Sequence, residues 1–399
     1  MKRSFDTIVL GCGGLGSAAL YWLSRELGGE VLGLEQFAHG HERGGSHDHS
    51  RIIRLSYGVT DYTHLAVHTY PCFAELEEES GVQLVFKTGG LDLSPTPAGQ
   101  PGELGSFAAA MRESGIDFET WSAEDTMRHF PQFRLPGDVQ VLYQKDAGLV
   151  DARKGVMVHA LMARRNGAAL LDQTAVQGIT PHSDGVDIDT TQGRFSARRL
   201  VVTAGAWLTP VLRLVGLKLP ITVTREQVSY FSSPHLRDFA VGRFPVWIYY
   251  GNQDHCFYGF PVYGEAAVKA AEDVGGQATT AETRSYDRDQ RSDHSLRAFM
   301  QAHLPSALGP ELYTKTCLYD MTPDRDFIVD FLPQHPNILI VSGAAHAYKF
   351  SSLLGKIAAE LTLTGQTTFG IERFGLDRPG LTDPGFTPSF RLQGEALSP

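Results

Sequence analysis

Residues 5–35 read FDTIVLGCGGLGSAALYWLSRELGGEVLGLE. Phe5 to Leu10 form an apolar run with β-branched residues at Thr7, Ile8 and Val9, which predicts a buried strand. Gly11-Cys12-Gly13-Gly14-Leu15-Gly16 follows directly as a G-x-G-x-x-G. Leu15, Ala19, Leu20 and Leu23 then recur at helical spacing, and residues 30–35 give a second short strand that ends in an acid. Strand, glycine loop, helix, strand and acid is the order a bound dinucleotide needs. Gly11 allows the tight turn, Gly13 lets the backbone approach a pyrophosphate, and Gly16 lets the helix pack on the strand. The free N–H groups at the helix start then face the phosphates. Glu35 lies 19 residues past Gly16, where a ribose-binding carboxylate belongs. A glycine-rich turn without a ligand explains the glycines but leaves Glu35 without a purpose.

The whole chain sets further bounds. A length of 399 residues suggests two domains. With 42% hydrophobic and 20% charged residues the composition is globular. A net charge of −10 and scattered basic residues argue against nucleic acid. No run of eighteen apolar residues occurs, so no membrane span is expected. Cys12, Cys72, Cys256 and Cys317 show no metal spacing. Free thiols in a cytoplasmic protein, a monomer or homodimer, are the expectation, with no metal bound.

Along the chain, residues 39–50 are polar and glycine-bearing, too much so for core. Arg51 and Arg54 are three apart and would share a face on a helix. An amphipathic helix is predicted over 62–80, with Pro71 inside it, and strands over 82–93. Shorter helices at 107–113 and 123–129, a strand at 139–143 and a helix at 152–166 come next. Residues 176–179, 185–189 and 193–195 read as a small meander that includes Val176. The run at 200–207 is another buried strand, and its small residues Ala204 and Gly205 offer a second close approach to a ligand. From 221 onward, β-branched and aromatic runs at 221–231, 246–250 and 256–260 suggest an antiparallel sheet. A helix over 295–304 closes that part. Residues 337–343 then return to a buried strand, followed by a loop and a helix over 351–363.

Four stretches carry a family resemblance. They are Gly11 to Gly16 with Glu35, SHDHSRIIRLSYG at 46–58, TCLYDMTPDRDFIVD at 316–330, and GAAHAYKFSS at 343–352. With these the chain resembles the monomeric sarcosine oxidase, N-methyltryptophan oxidase and pipecolate oxidase group. That group lies within the D-amino-acid-oxidase-like, FAD-dependent amine oxidases. The resemblance implies an α/β (α+β) fold: a discontinuous Rossmann-like FAD-binding domain (1–84, 147–217 and 318–386) and an antiparallel-sheet substrate domain (85–146 and 218–317).

It also implies an activity, in which a secondary amine, an N-methyl or cyclic amino acid, is oxidised to an imine. The imine hydrolyses, and O2 takes up the electrons as H2O2. A dehydrogenase that uses another acceptor and a non-catalytic FAD-binding homologue are the alternatives. A nicotinamide enzyme would share the glycine loop but give no reason for Cys317 or the Arg51/Arg54 pair. By the family's pattern Cys317 is joined to the flavin as a thioether, Arg54 and Lys349 hold the substrate carboxylate, and Arg51 lies near the flavin ring. Lys269 falls where the family keeps the lysine that activates O2, and Tyr258 and Tyr319 line the substrate pocket. His47 and His346 lie near the flavin. Gly11, Gly13, Gly14, Leu15, Gly16, Glu35, Gln36, Ser50, Val176, Ala204, Gly205 and Gly343 complete the implied cofactor contacts.

The chain departs from the family at several places. Glycines and a serine of the last stretch have become Ala344, Ala345 and Ala347, and the arginine-bearing stretch is one residue shorter. Asp273 stands where sarcosine oxidases have a histidine. An acid there would attract a second cationic group or repel an anionic substrate. The changes point away from sarcosine itself, toward another secondary amine or a larger amino acid.

Overall fold

The computed structural model describes residues 2–96, 104–251, 256–274, 276–390 and 392. The opening stretch folds as read. Strand Ser4–Leu10 leads into helix Gly14–Leu27, and strand Val31–Leu34 returns parallel to the first, Thr7 opposite Val31. A Cβ on Gly16 would stand 1.8 Å from the Gly11 carbonyl oxygen, so only glycine lets the helix start this close to the strand. Helix Ser351–Thr364 packs across the same helix, where a Cβ on Gly355 would meet that of Ala18 at 2.6 Å.

These elements belong to an eight-stranded sheet with strands from the start, middle and end of the chain. Its centre is one ten-residue strand, Gly193–Val202. The sequence suggests two strands here, because polar Ser196, Arg198 and Arg199 interrupt the apolar pattern. Hydrogen bonding overrides that pattern. The first half pairs antiparallel with Val186–Thr190, and the second runs parallel to Ser4–Leu10 and to His335–Ser342.

The second sheet has nine strands. Thr222–Phe231 and Glu311–Met321 pair antiparallel along almost their full length. One pairing differs from the antiparallel expectation: Val246–Tyr250 runs parallel to Gly90–Pro95. The two belong to separate excursions of the chain, so no hairpin sets their direction. Strand Val268–Asp273, which carries Lys269 and Asp273, lies between Thr222–Phe231 and Cys256–Gly259.

Arg51 lies on a strand, not a helix. Ser50–Ile53 joins Gly148–Asp151 and Val85–Lys87 in a small third sheet. Ile52 and Ile53, both β-branched and buried, favour the extended form. Arg54 follows just past the strand's end, where the alternation no longer forces it to the opposite face. Helix Thr60–Ser80 continues through Pro71 and stops at Gly81, whose φ of 71° closes it. Among the described residues no helix is long and apolar enough to cross a membrane.

Candidate active site

A cavity of about 890 Å³ runs along the glycine loop and between the two large sheets. Gly11, Gly13, Gly14, Leu15, Glu35, Gln36, Val176, Ala204 and Gly205 line it. Gly16 does not; its place is in the helix–strand contact. Glu35 is buried and accepts hydrogen bonds from the N–H groups of Cys12 and Phe37, both at 3.0 Å. Burial opposes its ionisation. Hydrogen bonds from His41 and those two amides outweigh it and hold the carboxylate below its ordinary range. The Ser46 hydroxyl accepts from Gly14 N–H at 2.9 Å, which ties residues 46–58 to the start of the helix.

In that second stretch Arg51 donates to three carbonyls of its own loop: Ser50 and Gly45 at 2.8 Å and His47 at 2.9 Å. His47 lines the cavity and neither ring nitrogen has a partner. Burial, then Arg51, pulls its pKa down to about 3, so it is neutral. Lys269 and Ser50 lie behind the cavity wall. The buried Lys269 ammonium stands 2.7 Å from Asp48 and donates to the Ser50 carbonyl at 2.9 Å. Burial lowers it to about 8, with Asp48 working the other way. Tyr230 fixes Asp48 from the far side at 2.7 Å.

Cys317 sits on strand Glu311–Met321, opposite Glu226. It is buried and outside the lining, whereas its neighbours Leu318, Tyr319 and Asp320 face the cavity. Burial pushes its thiol up to about 11, while Arg51 pulls it down. Strand His335–Ser342 delivers Gly343, His346 and Lys349 to the same cavity. Ala344 and Ala345 have φ of 44° and 73°, the left-handed region. The loop keeps the backbone that suits glycine and bears roughly 1–2 kcal/mol of strain per residue. His346 faces Arg54, Arg325 and Lys349, and burial and their charge keep it neutral. Its Nε2 therefore donates to the Arg325 carbonyl at 2.8 Å, which leaves Nδ1 as an acceptor.

Arg54, Tyr258, Tyr319 and Lys349 all line the cavity. Arg54 donates to Asp92 and Tyr250, and Ser56 also donates to Asp92. Burial keeps both Tyr258 and Tyr319 as phenols. Asp273 does not present the bare acid its sequence position suggests. Arg325 faces it at 3.4 Å and Tyr319 donates to it at 3.2 Å. Asp92, Tyr250 and Arg325 went unnoticed in the sequence. Asp92 had a signal, a lone acid within the apolar strand Gly90–Pro95. Arg325 stands inside the quoted T-P-D-R-D stretch with nothing to separate it from a surface charge.

The glycine loop, the buried carboxylate of Glu35, a neutral His47 without a hydrogen-bond partner among the described residues, and a cluster of cations suit a flavin dinucleotide with a carboxylate substrate. A family model for FAD-dependent oxidoreductases matches residues 6–361. Monomeric sarcosine oxidase of Streptomyces avermitilis is 33% identical over 383 residues, covering 93% of this chain and 97% of that protein. Peroxisomal sarcosine oxidase of Homo sapiens is 32% identical over 368 residues, covering 91% and 93%. Among solved structures NikD, an unusual amino acid oxidase essential for nikkomycin biosynthesis, matches with a TM-score of 0.83. It is 27% identical and covers 94% of this chain and 98% of its own.

Proposed function

The chain belongs to the FAD-dependent oxidoreductase family, and from that premise we propose that it is an oxidase of N-methyl or cyclic amino acids. Its relatives are FAD-dependent oxidoreductases acting on the CH–NH group, and the fold is theirs. The observation that carries the reading is Lys349, a cavity-lining ammonium without a partner among the described residues, beside the guanidinium of Arg54. We further assign the eight-stranded sheet to an FAD-binding domain and the nine-stranded sheet to a substrate domain. We place the protein in the cytoplasm on its free thiols.

When bound, FAD supplies the two-electron acceptor for the amine and, once reduced, the electrons that O2 takes up. The chain supplies position and field. Glu35 would hold the ribose hydroxyls, and the N–H groups at the start of helix Gly14–Leu27 would hold the pyrophosphate. Arg54 forks onto the substrate carboxylate, and Lys349 adds a point charge. The acceptor Nδ1 of His346 is placed to orient the amine. Lys269, just behind the cavity wall, would hold positive charge near where oxygen gains negative charge, and Cys317, beside the lining residue Leu318, would tether the cofactor.

Purified protein should be yellow, bleach anaerobically with N-methyl amino acids, and form H2O2 when air is admitted. A colourless protein that refuses added FAD would overturn the reading.

Lys349 makes a pH prediction. Burial, then Arg54, lowers it to about 7. A carboxylate ligand binds the charged form, so binding takes up a proton. The Kd of acetate on the holoenzyme should therefore be lowest below about pH 7 and rise up to about tenfold per unit above it. Titration by flavin absorbance reads this. In Lys349→Met the rise should vanish and binding should weaken at every pH. A slope that persists in the variant would assign the titration elsewhere.

A further inference from the structure

Two half-buried arginines on the wall of the cavity are built alike. Arg54 gives one terminal nitrogen to Asp92 and Tyr250, and Tyr250 donates to Asp92 at 3.0 Å. Arg325 gives one terminal nitrogen to Asp273 at 3.4 Å, and Tyr319 donates to Asp273 at 3.2 Å. In both arginines Nε is buried and has no hydrogen-bond partner among the described residues.

A guanidinium offers two edges to a carboxylate. The aspartate in each set occupies one terminal nitrogen and leaves the Nε edge open. A buried N–H without an acceptor is costly unless a ligand supplies one. Arg325 is also held in place by its backbone. Its φ is 57°, its N–H donates to the Thr322 carbonyl at 2.9 Å, and its carbonyl accepts from His346. Val274, next to Asp273, has φ of 56°. Such left-handed positions in non-glycine residues gather at functional sites. Arg54 and Arg325 line the same cavity as His346 and Lys349, so the two anchors face one substrate space.

A substrate with one carboxylate uses Arg54 and Lys349 and leaves the open edge of Arg325 bare. We infer that the substrate is a dicarboxylic secondary amino acid, whose second carboxylate takes the Nε edge of Arg325. Asp273 does not repel it, because both of its oxygens already accept, from Arg325 and from Tyr319. The pair orients the guanidinium and stays in place. This inference rests on the amine-oxidase reading above.

The test uses the FAD-loaded enzyme with sarcosine, N-methylalanine, N-methylaspartate, N-methylglutamate and iminodiacetate, both enantiomers where they exist. Anaerobic flavin reduction gives kcat/KM for each. At least one dicarboxylate should exceed N-methylalanine by about tenfold or more. In Arg325→Met and Arg325→Lys that ratio should fall by about tenfold or more; the lysine keeps the charge and loses the fork. Calorimetry with glutarate and butanoate gives a readout without turnover. Glutarate should bind tighter, and the difference should disappear in both variants. Monocarboxylic substrates that match or exceed the dicarboxylic ones, with glutarate no tighter than butanoate, would overturn the inference. Arg325-dependent glutarate binding without flavin reduction by any amine would uphold the second anchor and sink the amine-oxidase reading.

Discussion

Lys269→Met should slow the reaction of the reduced holoenzyme with O2 by about two to three orders of magnitude. The first electron transfer puts negative charge on oxygen, and a fixed cation in a dry site stabilises that charge without reorganising. Lys269 meets those conditions. It is buried, and Asp48 and the Ser50 carbonyl fix its direction. Methionine keeps the bulk and removes the charge. The loss should be at least about tenfold greater for reoxidation than for anaerobic reduction by substrate, since the substrate anchors lie elsewhere. A pH signature goes with it. Burial lowers the ammonium to about 8 against the pull of Asp48. The charged, active form dominates below that value, so the O2 rate should fall as pH rises through about 8 and be flat there in the variant. Stopped-flow mixing with oxygenated buffer measures both. A wild-type rate that is already slow, and no slower in the variant, would make the protein a dehydrogenase that passes electrons elsewhere.

Cys317→Ala should move the flavin from an acid-precipitated pellet entirely into the supernatant. If Cys317 holds the cofactor covalently, the S–H bond and one C–H bond of the flavin methyl group would break as the C–S bond forms, and the two electrons and two protons left on the flavin would pass to O2 as H2O2. Burial holds the thiol near 11, and Arg51 and Lys269 pull against it. Thiolate is therefore scarce at neutral pH, and attachment to added FAD should accelerate as pH rises. Arg51→Gln should slow attachment more than it weakens FAD binding, because it removes the largest charge favouring the thiolate. Colour in the wild-type supernatant would mean that the cofactor is held without a bond, and the role given to Cys317 would fall.

The part of the molecule around the glycine loop was legible because its pattern is local. Strand, glycine loop, helix and acid lie within residues 4–35, and a Cβ on Gly11, Gly14 or Gly16 would come within 3 Å of a neighbour. The substrate half was legible only in its cations. Arg54 and Lys349 stand in distinctive stretches, but their effect depends on partners far away in sequence. Asp92 and Tyr250 reach Arg54 from two strands that pair in parallel, a pairing that no periodicity announces. Asp273 was read as a bare acid because its counter-ion lies 52 residues away. Lys269 is buried against Asp48 and the Ser50 carbonyl and is not among the residues that line the cavity; a strand pattern gives the face of a side chain but not its depth. The split of strand Gly193–Val202 failed for a related reason: pairing on both sides holds a strand that polarity alone would break.

The central strand of the nucleotide-binding sheet lies between the first strand of the chain and His335–Ser342, the last. A ribosome therefore finishes the glycine loop long before it makes the strand, loop and helix that close the cavity. During synthesis the early half has an exposed sheet edge and only part of the cavity lining. Loading must wait until nearly the whole chain has been made. A message truncated before residue 343 yields protein that no supply of vitamin can rescue. For the complete chain, the availability of riboflavin sets how long the newly made protein stays open to proteases before the ligand stabilises it.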